Sequence, residues 1–210
     1  MMTRATVAIV DYQAGNIQSI ANAFEHLGAR VVLAANDAAV EDASHVVLPG
    51  VGAFGYCADK LRASGLIPAV ERAVFEKRLP VLGICVGMQL LADVGEEMGR
   101  HAGLGWAGGT VRALVPSPPG VRVPHVGWND VTFDQPFGDY AVGSAADFYF
   151  DHSFAFYEPT HAEIVGSCEH GSRFAALIRR DNLVAAQFHP EKSQRAGLSF
   201  LSGFLGMAAC

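Results

Sequence analysis

Little in this sequence points to a nucleic acid, a membrane or a metal. Lys and Arg number 15 against 21 Asp and Glu, a formal net charge of −6, and no run of basic residues interrupts the chain. That balance argues against a partner held through phosphate contacts. No stretch approaches the roughly 20 apolar residues of a membrane-spanning helix. The N-terminal run over 1–10 lacks the length and cleavage pattern of a signal peptide, so the expected location is the cytoplasm. Cys57, Cys85, Cys168 and Cys210 have no C-x-x-C spacing, which excludes a zinc ribbon or a thioredoxin-like motif. They are too sparse for a disulfide framework and are read as reduced thiols. His26, His45, His101, His161 and His170 are scattered without metal-ligand spacing, and no metal is assigned. No internal repeat or low-complexity linker is visible.

What is present is a foldable chain. Half of the 210 residues are hydrophobic and 17% are charged, which allows a sizeable core. The length fits a single domain over 1–210. The 23 glycines imply tight turns and close backbone approaches. Short apolar runs over 6–10, 30–34, 45–48 and 80–84 read as buried strands. Helical spacing is seen over 16–27, 58–61, 67–77 and 86–93. This alternation predicts an α/β fold, a mostly parallel central sheet with flanking helices. From about residue 95 the pattern changes. Strands are expected over 111–115, 121–123, 131–133, 147–149, 163–168, 175–179 and 183–188, as additional antiparallel elements. A Pro-rich turn is expected over 116–120 and a closing helix over 196–207.

Three local patterns carry chemistry. Gly83-Ile84-Cys85-Val86-Gly87 lies between a predicted strand and a predicted helix. It has the shape of a nucleophile elbow with Cys in place of Ser. The glycines answer the crowding of an abrupt strand-to-helix turn, and the helix N-terminus favours a thiolate. A small cysteine packed in the core is the competing reading. Gln187-Phe188-His189-Pro190-Glu191 ends a predicted strand, where His189 and Glu191, two apart, point to one side. That supplies a base and an acidic orienter; taken alone, the same residues suit a surface turn. Leu48-Pro49-Gly50-Val51-Gly52-Ala53-Phe54 is a Gly-rich turn after a strand, able to aim N–H groups at an oxyanion. No G-x-x-x-x-G-K-[ST] phosphate loop is present. His125, His152 and Lys192 remain open as ligand, base or neither, and Cys57, Cys168 and Cys210 as structural or incidental thiols.

Together and in this order, the three patterns resemble the class I (triad) glutamine amidotransferases. Gly83-Ile84-Cys85-Val86-Gly87-Met88-Gln89-Leu90-Leu91 is similar to their nucleophile motif. Four further segments narrow the resemblance to the glutaminase subunits of imidazole glycerol phosphate synthase. They are Asp11-Tyr12-Gln13-Ala14-Gly15-Asn16, Pro124-His125-Val126-Gly127-Trp128-Asn129, Tyr149-Phe150-Asp151-His152-Ser153-Phe154 and His189-Pro190-Glu191-Lys192-Ser193. Gln13 and Asp151 are less usual choices for that family. The resemblance covers nearly the whole chain.

It implies hydrolysis of glutamine to glutamate and ammonia. The ammonia would be channelled to a (β/α)8-barrel cyclase subunit in a heterodimer, for histidine biosynthesis. Cys85, His189 and Glu191 would form the triad. Val86 would supply the oxyanion N–H beside the nucleophile, with Val51 or Gly52 supplying a second. Gln89 and the Ser153–Phe154 backbone would hold the amino-acid end of glutamine. Trp128, which the residues alone would place in a core, would face the cyclase with Asn129 and Lys192. A peptide reorientation at Gly50-Val51 would switch the subunit on when the cyclase is ready. This half-reaction calls for no metal or organic cofactor. Other readings stay open on sequence: another triad amidotransferase, a Cys-dependent peptidase or chaperone of similar fold, or a non-catalytic module.

Overall fold

The structure is a computed structural model that describes residues 4–116 and 120–209. The first three residues of the N-terminal run, the centre of the expected Pro-rich turn (Ser117, Pro118, Pro119) and Cys210 lie outside the described residues.

The first half contains β1 (Thr6–Val10), α1 (Ile17–His26), β2 (Arg30–Ala34), α2 (Asp37–Glu41), β3 (His45–Leu48), α3 (Phe54–Ser64), α4 (Ile67–Glu71), β4 (Val81–Ile84) and α5 (Val86–Gln89). The second half contains β5 (Val94–Gly95), β6 (His101–Ala102), β7 (Thr110–Ala113), β8 (His125–Phe133), β9 (Ala145–His152), β10 (Phe154–Phe156), β11 (Glu163–His170), β12 (Ser172–Arg180), β13 (Leu183–Ala186) and α6 (Gln194–Leu205). Among the described residues, nine strands make one sheet in the order β2-β1-β3-β4-β13-β12-β11-β8-β9. Its first five strands are mutually parallel and its last four antiparallel. A second sheet runs β10-β7-β5-β6.

Every residue of β3, β4 and β13 is buried, which requires cover on both faces and explains why, His45 apart, their sequences are apolar. α1 buries Ile20, Ala21, Ala23 and Phe24, and Phe24 meets Phe204 of α6 edge-on at 6.1 Å. α4 packs against both α2 and α3. Near the end of β13, Phe188 stacks on Phe148 at 4.0 Å and meets Phe200 at 5.1 Å. Burying such a ring contributes roughly 1.5–3 kcal/mol. It clamps Phe188 inward, so its neighbours Gln187 and His189 face the other way.

Four expectations are corrected. The helix expected over 86–93 is a single turn. The carbonyls of Leu90, Leu91 and Ala92 accept instead from Leu104, Ala107 and Gly105, and a Cβ on Gly103 would sit 2.0 Å from the Ala92 oxygen. That close-packed segment takes the bonds a longer helix would need. The helix over 67–77 changes at Arg72 into a π turn, Arg72–Glu76, closed by Lys77 N–H on the Arg72 carbonyl at 2.8 Å. Residues 121–123 form no strand: their side chains are not buried, and Pro124 follows with no N–H to donate. The strand instead runs over nine residues from His125; it alternates throughout, but its inward positions His125, Gly127 and Asn129 are not apolar, so the sequence shows no strand signal there. Elsewhere α2, β5, β6 and β10 were not expected.

The parallel strand order positions the site. β1, β3, β4 and β13 are successive neighbours, and the chain leaves their C-terminal ends at Tyr12, Pro49–Gly52, Cys85 and Gln187–His189. Ligands of such sheets bind beyond those ends.

Candidate active site

Cys85 follows β4 with φ +54° and ψ −114°, a backbone conformation that L-residues rarely adopt. The surroundings enforce it. Its N–H donates to the Ala186 carbonyl at the end of β13 at 2.8 Å. A Cβ on Gly83 would lie 3.0 Å from the Gly87 oxygen, and one on Gly87 only 2.0 Å from the Leu48 oxygen. The two flanking glycines are therefore a steric requirement of the elbow, as its sequence implied. Cys85 is 3% exposed, at the floor of a cavity of about 320 Å³. That volume is at the small end for ligand pockets, suited to a metabolite of amino-acid size.

His189 is buried beside it. Its Nδ1 lies 2.8 Å from Glu191 Oε1, and the ring is electrostatically coupled to Cys85. Burial opposes a charge on this ring, but Cys85 and Glu191 outweigh it and push the His189 pKa up to about 10. The Glu191 side chain has no exposed surface, and its Oε2 has no hydrogen-bond partner among the described residues. The strand alternation expected to join His189 and Glu191 does not do so. β13 has ended, and a 3-10 turn over Pro190–Lys192 brings the carboxylate back under the ring. Ser193 locks this turn, its hydroxyl donating to the His189 carbonyl at 2.6 Å and accepting from Tyr149 N–H at 2.9 Å.

The Pro49–Gly52 turn packs on the elbow. A Cβ on Gly50 would lie 2.6 Å from Gly87 N and 2.8 Å from Val86 Cβ. Val51, Gly52, Val86 and Gln89 all line the cavity with Cys85 and His189. Two residues given no role from sequence hold this turn. The buried Tyr12 hydroxyl donates to the Pro49 carbonyl, and Cys57 Sγ donates to the Val51 carbonyl at 3.4 Å. Burial raises the Tyr12 phenol far above its ordinary range and the Cys57 thiol to about 11, so both stay protonated donors. The only sequence signal for Tyr12 is its place in the Asp11–Asn16 motif; for Cys57 there is none.

Gln187 was also missed. It is fully buried, and its Nε2 approaches Cys85 Sγ at 3.7 Å. Its spacing of two from His189 was the available signal. Gln89 lines the cavity, but its amide nitrogen is committed to Gln187 Oε1 and the Phe154 carbonyl, each at 2.9 Å. The Phe154 carbonyl also accepts from His152 Nδ1, and the Ser153 carbonyl from Leu114 N–H. The Phe154 carbonyl thus has both lone pairs engaged and the Ser153 carbonyl one of its two, and the 153–154 segment lines the cavity.

Comparison with known proteins bears on the same architecture. The model of the glutamine amidotransferase class-I family matches residues 8–205. A HisH subunit of imidazole glycerol phosphate synthase from Zymomonas mobilis is 48% identical over 205 residues, 96% of this chain and 95% of its own. One from Rhodospirillum rubrum is 44% identical, covering 96% of this chain and 99% of its own. The chain belongs to the HisH family of class-I glutamine amidotransferases. It is thus a glutaminase subunit of imidazole glycerol phosphate synthase, an enzyme of histidine biosynthesis. A solved glutamine amidotransferase shares its fold, with a TM-score of 0.72 at 19% identity, covering 96% of this chain and 99% of that one.

In this HisH-family chain the residues expected at a partner face do not all sit together in the cavity. Trp128 is 47% exposed on β8, on the same side as the exposed Val126, and meets Tyr149 at 6.2 Å. It is not core, contrary to what composition alone favours. Lys192 lies over the Tyr149 ring at 5.3 Å and also lines the cavity. Asn129 points to the opposite side of β8, toward His125. Among the described residues no helix is long and apolar enough to cross a membrane.

Proposed function

We propose that Cys85, His189 and Glu191 form the triad that hydrolyses glutamine, within one amidotransferase domain spanning the chain. The observation that carries this reading is the buried Cys85–His189–Glu191 line at the base of the cavity, with the thiol held on a strained elbow. The Cys85 thiolate attacks the side-chain amide carbon, and a C–S bond forms as the C=O electrons move to oxygen. Val86 N–H and one from Val51 or Gly52 receive the oxyanion. His189, held as imidazolium, gives its proton to the leaving nitrogen, and the C–N bond breaks to release ammonia.

The second half-reaction needs His189 as a base, and the same geometry supplies it. Part of what raises its pKa is the Cys85 sulfur, both as hydrogen-bond partner and as charge. In the thioester the sulfur carries no charge and no proton. The imidazole pKa then falls while burial continues to oppose the cation. Neutral His189 takes a proton from water, the hydroxide adds to the thioester carbon, and the C–S bond breaks to give glutamate. Glu191 keeps the ring oriented throughout.

The ammonia passes to a cyclase subunit in a cytoplasmic heterodimer. The exposed Val126–Trp128 strip beside Tyr149 and Lys192, of which Lys192 also lines the cavity, supports this face as the contact. An aromatic anchor rimmed by a cation is the composition of an interface centre. Labelling with an electrophilic glutamine analogue, followed by peptide mapping, tests the reading. Modification of Cys85 blocked by glutamine is expected; labelling confined to Cys57 or Cys168 contradicts it.

A further inference from the structure

An unbroken series of hydrogen bonds runs from β8 to the nucleophile, and the chemistry of its members sets the direction of each. The Phe154 carbonyl can only accept, and it takes His152 Nδ1 and Gln89 Nε2, each at 2.9 Å. His152 therefore carries its proton on Nδ1 and, when neutral, offers Nε2 as an acceptor. His125 Nδ1 lies 2.9 Å from that nitrogen and must be the donor. This leaves His125 Nε2 as an acceptor for Asn129 Nδ2 at 3.2 Å. Asn129 is oriented in turn, its Nδ2 also donating to the Glu169 carbonyl at 3.1 Å and its Oδ1 accepting from Asp130 N–H at 2.9 Å. Past Phe154, Gln89 Nε2 donates to Gln187 Oε1 at 2.9 Å, and Gln187 Nε2 to Cys85 Sγ at 3.7 Å.

Both imidazoles must be neutral for this order to hold, because a cationic His152 has no lone pair for His125. Their surroundings enforce it. Burial first, then neighbouring histidines, push His125 down to about 3, and burial, against the Phe154 carbonyl that favours the cation, pushes His152 to about 4. His125 is sandwiched between Phe150 at 4.7 Å and His170 at 3.9 Å, which fixes its plane.

We propose that His125 and His152, ordered by Asn129, are positioning residues for glutamine hydrolysis. As two Nδ1–H imidazoles they hold the Phe154 carbonyl, and through it the Gln89 and Gln187 amides that aim one N–H at the Cys85 sulfur. Reversing either amide would turn an oxygen lone pair toward the thiolate. The proposal rests on the reading of Cys85 as the nucleophile.

Two measurements on the full chain test it. Long-range 15N–1H spectra of the imidazoles at neutral pH are expected to show neutral Nδ1–H rings for His125 and His152. An Nε2–H tautomer or a cation at either one overturns the proposal. Kinetics of the complex with the cyclase then compare His152→Ala with His152→Asn, whose amide can place a donor where Nδ1 was. Loss of one hydrogen bond predicts a fall in kcat of about tenfold for the alanine variant with KM for glutamine unchanged, and recovery in the asparagine variant. Equal losses in both, or none in either, make His152 a packing residue and overturn the proposal. The spectrum does not depend on turnover. A chain that hydrolyses no glutamine would sink the triad reading and still leave the relay decided by its imidazole protons.

Discussion

Replacing Gly50 with alanine separates the oxyanion turn from the rest of the site. The added Cβ would lie 2.6 Å from Gly87 N, 2.8 Å from Val86 Cβ and 2.9 Å from Val86 C. All three belong to the elbow, which Cys85 and Gly87 already pin to neighbouring strands, so it cannot yield. The turn must withdraw, against its anchors at the Pro49 and Val51 carbonyls. A movement of a few tenths of an ångström suffices to misaim a Val51 N–H. One lost oxyanion donor costs about 10²–10³ in kcat, or roughly 2.7–4 kcal/mol. Gly52→Ala is the control. Its Cβ meets nothing nearer than Tyr56 at 3.9 Å, but its φ of +112° strains any other residue. It should cost about 1–3 kcal/mol of stability with a smaller loss of rate. The assay is glutamine-dependent against ammonia-dependent synthesis by the complex with the cyclase. Gly50→Ala should lose the first and keep the second. Wild-type glutamine turnover in folded Gly50→Ala would refute the assignment of this turn to the oxyanion.

Further outcomes follow from the same geometry. Glu191→Gln removes one of the two partners that hold the His189 imidazolium against burial, and should lower glutamine turnover by about tenfold or more, a pKa unit being about 1.4 kcal/mol; an unchanged rate takes Glu191 out of the triad. Trp128→Ala should weaken complex formation by about 2 kcal/mol while the melting temperature of the isolated chain holds; a large fall in melting temperature with intact affinity makes Trp128 a structural residue. His125 and His152 titrate at about 3 and about 4 when folded and near 6.5 when unfolded, so the stability they contribute is full above about pH 6.5 and is lost as pH falls toward the folded values. Urea titrations should show a loss of up to about 1.4 kcal/mol per pH unit for each ring between pH 6 and 4, and a flat profile there contradicts the burial of neutral rings. His189 has the opposite sign: its pKa is raised to about 10, so its contribution is full below about pH 6.5 and is lost as pH rises through 10.

The parallel half of the fold was legible because its strands are short, apolar after their first residue and bounded by turn residues. β1, β2 and β3 begin and end where their sequences say. The elbow was legible for a related reason: Gly83 and Gly87 flank Cys85 because backbone approaches there admit nothing larger. The misreadings lie where distant residues decide. α5 stops after one turn because residues 104–107 claim the carbonyls of Leu90–Ala92 that follow it, and local periodicity carries no trace of them. Only 131–133 of β8 was expected, because the inward residues before it, His125, Gly127 and Asn129, are not apolar, although the strand pairs with β9 from His125 to Thr132. Tyr12, Cys57, Gln187, His125 and His152 gain their roles from partners 27 to 102 residues away, or from a main-chain carbonyl that no side-chain pattern marks.

The most direct measurement compares Cys85→Ala with the unaltered chain in complex with the cyclase, supplying either glutamine or free ammonia as the nitrogen source. Cys85 serves only the hydrolytic half, and its replacement fills no part of the cyclase. The variant should make no product from glutamine and form product from ammonia at the unaltered rate. Product from glutamine in the variant, or loss of both activities in a folded complex, would contradict the account.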